Sequence, residues 1–287
     1  MIKKKLILLM WIAVGILTVV LLGAAMQKKN EYKCKDIKIE IVGSVQHMFV
    51  DEKDILQTVN SIGLVTGNSI SNINLRNIEL LLEKNAWIKN AEVYFNNNNE
   101  LIINIEEKEP VARIFTLQES SFYVDTLANQ LPISDKYSAR VPVFTAFPTD
   151  HQQLSMADSL LMVDVIKLAK FIQADSFWNA QIAQVNILPN ATFEIIPVLG
   201  NQIISLGNAD ELDKKFKRLL AFYKYAWLQN GINKYERLNV EFNNQVVAIK
   251  KGVSVFSDTT KAKQIIITVD SVKAETINSP KAVFKKN

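Results

Sequence analysis

Residues 6–25, LILLMWIAVGILTVVLLGAA, form an uninterrupted apolar run, and everything after it mixes apolar and polar positions at short intervals. A helix of that length rises about 30 Å at about 1.5 Å per residue, the thickness of a bilayer's hydrocarbon core. The pattern predicts one membrane-spanning helix, preceded by a tail of residues 1–5 and followed by a mass that folds in water. A cleaved signal peptide is the competing reading. Lys3, Lys4 and Lys5 suit a basic leader, and Gly23 with Ala25 suits a small-residue cleavage site. The run is longer than the roughly 7–15 residues of a usual leader core, and Lys28 and Lys29 follow it as a stop. Lysines flank both ends, so charge alone leaves the orientation open; the short three-lysine tail favours an inside N-terminus.

Residues 26–35 read as a polar juxtamembrane linker. Ile37-Lys38-Ile39-Glu40-Ile41 then alternates strictly, the mark of a half-buried strand, and Gly43 closes it. Asp51 suits the cap of a helix in which Ile55, Leu56 and Val59 recur at helical spacing, ended by Gly63. Past Gly67 and Asn68, the positions Leu75, Ile78, Leu81 and Leu82 make the stripe of a second helix, with Trp87 and Ile88 at its end. Strands follow at 91–95 and 101–105, joined by the asparagines of 96–99, which tolerate positive φ in a turn. The order is β-α-α-β-β, a small α+β module over residues 36–108. Large aromatics usually fill cores, so Trp87 reads first as a core anchor.

This order resembles a POTRA domain, and so do the passages Ala86-Trp87-Ile88-Lys89-Asn90-Ala91-Glu92-Val93 and Ile105-Glu106-Glu107-Lys108-Glu109-Pro110-Val111-Ala112. The closest resemblance is to the module of the FtsQ/DivIB family of bacterial cell-division proteins, in which a single N-terminal membrane helix leads directly into it. The fold class expected is therefore α+β: one transmembrane helix, a POTRA-like module, and a mixed antiparallel β-sheet domain with packed helices over residues 109–251.

The second half fits that expectation. Pro110 breaks the preceding strand, and 111–116 reads as the next, with a turn at 118–121. Phe122-Tyr123-Val124-Asp125 before a turn resembles the family's hairpin, with Ala128 and Asn129 where the family often has glycine; Val141-Pro142-Val143-Phe144 resembles its next strand. Residues 155–171 read as an amphipathic helix, capped by Ser155 with Asp158 and carrying Leu160, Leu161, Val163, Ile166 and Phe171. Strands at 182–188, 192–197 and 202–206 read as a meander with turns at Pro189-Asn190 and Gly200-Asn201. Asn208 with Glu211 suggests a capping box opening a long helix to Gly231. Leu212, Phe216, Leu219, Leu220, Tyr223 and Trp227 form its core seam, and Asp213, Lys214, Lys217, Arg218 and Lys224 cover the rest. Residues 235–250 form the last strand or hairpin. Residues 264–269 suggest an isolated strand within a flexible tail, 252–287.

Composition narrows the chemistry. The net charge of +4 comes from scattered lysines rather than a basic stripe interleaved with aromatics, so nucleic acid is not an expected partner. Cys34 is the sole cysteine, which rules out an intramolecular disulfide, and His47 and His151 have no metal-spaced companion. Phosphate-cradling loops, nucleophile elbows and paired-histidine helices are missing from the sequence. Catalytic, cofactor-binding and metal residues are therefore expected to be none, and a small-molecule substrate is not expected.

The resemblance implies a non-catalytic scaffold of the divisome, at the inner membrane of the septum with its folded domains outside the cytoplasm. In the family the closing strands pair with FtsB/DivIC, in a complex that also contains FtsL. Carried onto this chain, the partner-binding residues are Phe242, Asn244, Gln245, Val246, Val247 and Ile249, acting through β-strand addition. Asn239 and Glu241 depart from the family's acidic residue and arginine, so a partner ion pair there would be rearranged. Two alternatives stand beside this reading. A POTRA-containing assembly factor for secreted or outer-membrane proteins would use the same edge pairing. A membrane-tethered envelope hydrolase would need converging carboxylates, for which Asp125, Asp158 and Asp164 are the candidates.

Overall fold

The computed structural model describes residues 10–23, 32–42, 49–227, 231, 233–252 and 265–268, with residues 226, 227 and 265–268 described by their backbone. Residues 10–23 are helix α1. At about 1.5 Å per residue, the described part of it rises about 21 Å. Among the described residues no helix is long and apolar enough to cross a membrane. The rest of the predicted span, like His47 and the tail beyond residue 268, lies outside the described residues. The chain forms two compact units: Met1–Glu109 with Leu131–Ala139, and Pro110–Gln130 with Arg140–Asn287.

The first unit carries a three-stranded sheet in the order β1 (Ile37–Val42), β3 (Leu101–Glu107), β2 (Ile88–Phe95). The central strand β3 runs parallel to β1 and antiparallel to β2, and Leu101, Ile103 and Ile105 are fully buried. Asn99, at φ 63°, makes the β2–β3 turn that the asparagine run predicts. Helix α2 (Glu52–Asn60) opens on a true capping box: Asp51 accepts from the Asp54 N–H at 2.8 Å and Asp54 accepts from the Asp51 N–H at 3.3 Å. Its Ile55 and Val59 are buried, as are Ile78 and Leu82 of α3 (Leu75–Leu82). Trp87 is a core anchor, as its type suggests. It is 5% exposed and stacks on Phe49 with ring centroids 3.5 Å apart.

Two stretches join this unit from outside the β-α-α-β-β module. The polar linker is pinned at its end: the buried Cys34 donates its N–H to Asn68 O at 2.9 Å and accepts from the Gly67 N–H at 2.7 Å. From far along the chain, Leu131–Ala139 brings Tyr137 edge-on to Phe49 at 5.2 Å and Lys136 to Asp51 and Asp54 at 2.9 and 2.6 Å.

The second unit is built on a ten-stranded mixed sheet. Its strands are β4 (Pro110–Thr116), β5 (Ser121–Asp125), β6 (Gln130–Leu131), β7 (Val143–Phe147), β8 (Ile182–Ile187), β9 (Phe193–Pro197), β10 (Ile203–Gly207), β11 (Tyr235–Asn239), β12 (Gln245–Lys250) and β13 (Ile265–Thr268). Their spatial order is β13-β12-β11-β10-β9-β8-β7-β4-β5-β6. The pairs β4–β7, β7–β8 and β10–β11 are parallel, whereas β8–β9–β10 is the predicted antiparallel meander. Helices α4 (Met156–Ala174), α5 (Ser176–Gln181) and α6 (Leu212–Phe222) share one core with the sheet, through Phe144, Met162, Trp178, Phe193 and Phe216 among others.

Three sequence expectations change here. In α4 the core takes Leu161, Met162, Val165, Leu168, Ala169 and Ile172, leaving Leu160 and Val163 exposed, because a helix apolar on most sides does not announce its inner face. The Asn208–Glu211 capping box does not form. Glu211 is itself the N-cap, in the left-handed region at φ 49°, and makes no side-chain cap bond. Asn208 Oδ1 instead accepts from Lys215 Nζ at 2.8 Å. Finally, the strand read as isolated in the tail is not isolated: β13 pairs with β12.

Candidate functional site

The hairpin β11–β12 and the strand beyond it form one end of the large sheet. β11 enters parallel to β10, pairing Arg237 with Ile203, Leu238 with Ile204 and Asn239 with Ser205. β12 returns antiparallel, with Leu238 opposite Ala248 and Asn239 opposite Val247. Leu238, Val246 and Ala248 face the core, while Gln245, Val247 and Ile249 are partly exposed on the alternate positions of the pleat.

The turn between these strands is held from several sides. Val240, fully buried, donates its N–H to Ser205 O at 3.1 Å and accepts from the Arg218 guanidinium at 2.7 Å. Arg218 reads in the sequence as part of the polar face of its helix, yet it is 5% exposed and its guanidinium meets this carbonyl. Burial lowers the pKa of Arg218, and burial likewise lowers that of Lys215 on the same helix, against the pull of nearby Asp210 and Glu241. Arg218 donates to a backbone carbonyl, and Lys215 donates to the backbone and amide oxygens of Asn208.

Asn239 and Glu241 serve this turn too. Asn239 accepts from the Glu241 N–H at 2.8 Å and donates its amide to the Glu241 carboxylate at 3.1 Å. The Glu241 side chain lies over Gly207, where φ is +74° and a Cβ would sit 2.6 Å from Glu241 Cγ. Glycine is needed there on both counts. Arg237 is engaged across the sheet by Glu194 and by Ser205 Oγ.

Of the residues carried over as partner-binding, Phe242 is 50% exposed in the turn and Asn244 is an exposed left-handed residue at φ 59°. Gln245, Val247 and Ile249 line the outward positions of β12, and Val246 is 1% exposed, turned into the core. The turn thus gathers Phe242 and Asn244 beside a strand whose side chains are divided between core and surface.

The carboxylates named for hydrolysis are not brought to one site by these elements. Asp125 closes its own turn, accepting from the Leu127 and Asn129 N–H groups at 2.8 and 2.9 Å and from the Asn129 amide at 2.7 Å. Asp158 meets the capping Ser155, and Asp164, raised by burial, lies near Lys167 and Asp210. Among the described residues no group of three or more His, Cys, Asp or Glu could hold a metal ion.

Comparison with known families fits this architecture. Residues 32–106 match the POTRA-like domain. Residues 109–249 match the FtsQ/DivIB, C-terminal related family. The chain belongs to the FtsQ/DivIB family. No curated protein matches it. The FtsQ/DivIB match begins at the residue before β4 and closes inside β12, so all six carried-over residues lie within it. The POTRA-like match covers the module from the pinned linker into β3. Domains of these two kinds suggest a cell-division scaffold, and both families are generally non-catalytic.

Proposed function

We propose that this chain is a membrane-anchored, non-catalytic scaffold of the bacterial division machinery. The apolar run 6–25 spans the inner membrane with residues 1–5 inside, and residues 26–35 link it to the POTRA-like and FtsQ-type domains outside. The scaffold captures FtsB/DivIC-like and FtsL-like partners at the septum by adding their strands to the end of the large sheet. One observation carries this reading: the FtsQ/DivIB match closes on a hairpin that lies near a sheet end, where backbone groups can serve a further strand. Phe242, Asn244, Gln245, Val247 and Ile249 supply the contacts that select the partner.

The test is genetic and biochemical. Depletion of the protein is expected to give filaments without septa, and normal septation would remove the reading. Val247→Pro withdraws the backbone donor with which β12 holds β11, and by distorting the accepting strand is expected to abolish co-purification of the FtsB/DivIC-like partner. Undiminished capture by a folded variant would overturn the strand-addition mechanism.

A further inference from the structure

The outer edge of β12 already holds a strand. β13 lies antiparallel to it, with Gln245 opposite Thr268, Val246 opposite Ile267, Val247 opposite Ile266 and Ala248 opposite Ile265. Residues 251–264 separate the two strands in sequence, and β13 lies beyond the 109–249 match. It thus lies outside the matched residues, seated where a partner strand would add.

The composition of β13 is Ile-Ile-Ile-Thr, uncharged and β-branched throughout, a residue class that suits a strand and makes few alternative structures. Its reach is short. Among the described residues it covers Gln245–Ala248 and leaves Ile249 and Lys250, the last two residues of β12, without a partner on that side. A ladder of so few backbone bonds, each worth about 0.5–1.5 kcal/mol net, holds weakly by itself. What favours it is that both strands belong to one chain, which makes the pairing intramolecular.

We propose that the β12 edge is a docking site for an uncharged, β-branched antiparallel strand, and that β13 occupies it in the free chain as a tethered competitor. A partner strand then binds by exchange with β13. This rests on the strand-addition reading above and adds to it the class of ligand and the step that must precede capture.

The probe is a fluorescent peptide of residues 262–271, offered to the full-length chain. Ile267→Pro removes a ladder donor from β13 and is expected to tighten peptide binding by about tenfold or more, since the tethered competitor is lost. A second variant, Val247→Cys with Ile266→Cys, locks the strands together. Directly opposed antiparallel residues lie about 4.5–5.5 Å apart at Cα, within disulfide range, and Cys34 is itself buried. Oxidation is expected to weaken peptide binding about tenfold or more and reduction to restore it, a comparison made within one folded protein. Unchanged binding in either comparison overturns exchange. If exchange fails while Val247→Pro still abolishes partner co-purification, the scaffold reading stands without it. If Val247→Pro also leaves the partner bound, strand addition itself falls.

Discussion

Glu107 shows what a single residue can hide. In the sequence it is one of a run of charges at the end of a strand, yet it is 4% exposed and its carboxylate accepts from the Val50 N–H at 2.7 Å. Burial raises its pKa, and bonds from the Val50 and Phe49 N–H groups oppose the rise without cancelling it. The folded value then lies above the unfolded one, so protonation favours the folded state. The cost of the buried charge is full above the folded pKa and is relieved as pH falls through it. Glu107→Gln keeps an oxygen for Val50 and removes the charge. It is expected to raise the melting temperature at pH 7, by a margin that shrinks on acidification. A margin independent of pH would contradict the assignment. Glu107→Ala leaves the Val50 donor unmet and is expected to cost about 1–3 kcal/mol in urea denaturation.

At the scale of elements, α6 and the β11–β12 turn are coupled by the Arg218 guanidinium on Val240 O. Periodicity found the seam of α6, since Leu212, Phe216 and Leu219 are all buried. It could not find Arg218, because a charged residue on a helix is ordinarily solvated and nothing local marks the exception. Arg218→Met keeps the length and the apolar stem but strands a buried carbonyl. A loss of about 1–3 kcal/mol by chemical denaturation is expected, together with loss of peptide capture at β12. Full stability in that variant would show that the turn is held without the Arg218 bond. The fate of α4 has the same origin. Its capping Ser155 was legible, but the choice of Leu161 and Val165 over Leu160 and Val163 belongs to the core that meets it. The α5 turn went unread, although Asp175 caps it with bonds to the Phe177 and Trp178 N–H groups.

For the whole molecule, the proposed anchor and the strand-accepting edge make separable contributions. Deleting residues 1–31 is expected to leave peptide capture at β12 unchanged while failing to restore septation in depleted cells, because local concentration at the membrane is lost. Restored septation would show that the anchor is dispensable. By itself the sequence determined the strands, most helices, the POTRA-like order and the likeness to FtsQ/DivIB, because period, caps and turn residues are local properties that act before any packing occurs. Tertiary structure alone decided the rest. It sent Leu131–Ala139 to the first unit, through Tyr137 on Phe49 and Lys136 on Asp51 and Asp54. It buried Glu107 and Arg218, and it laid β13 along β12. Each of these is a pairing of residues distant in the chain, and a short run such as Ile-Ile-Ile-Thr carries the propensity for a strand without naming its neighbour.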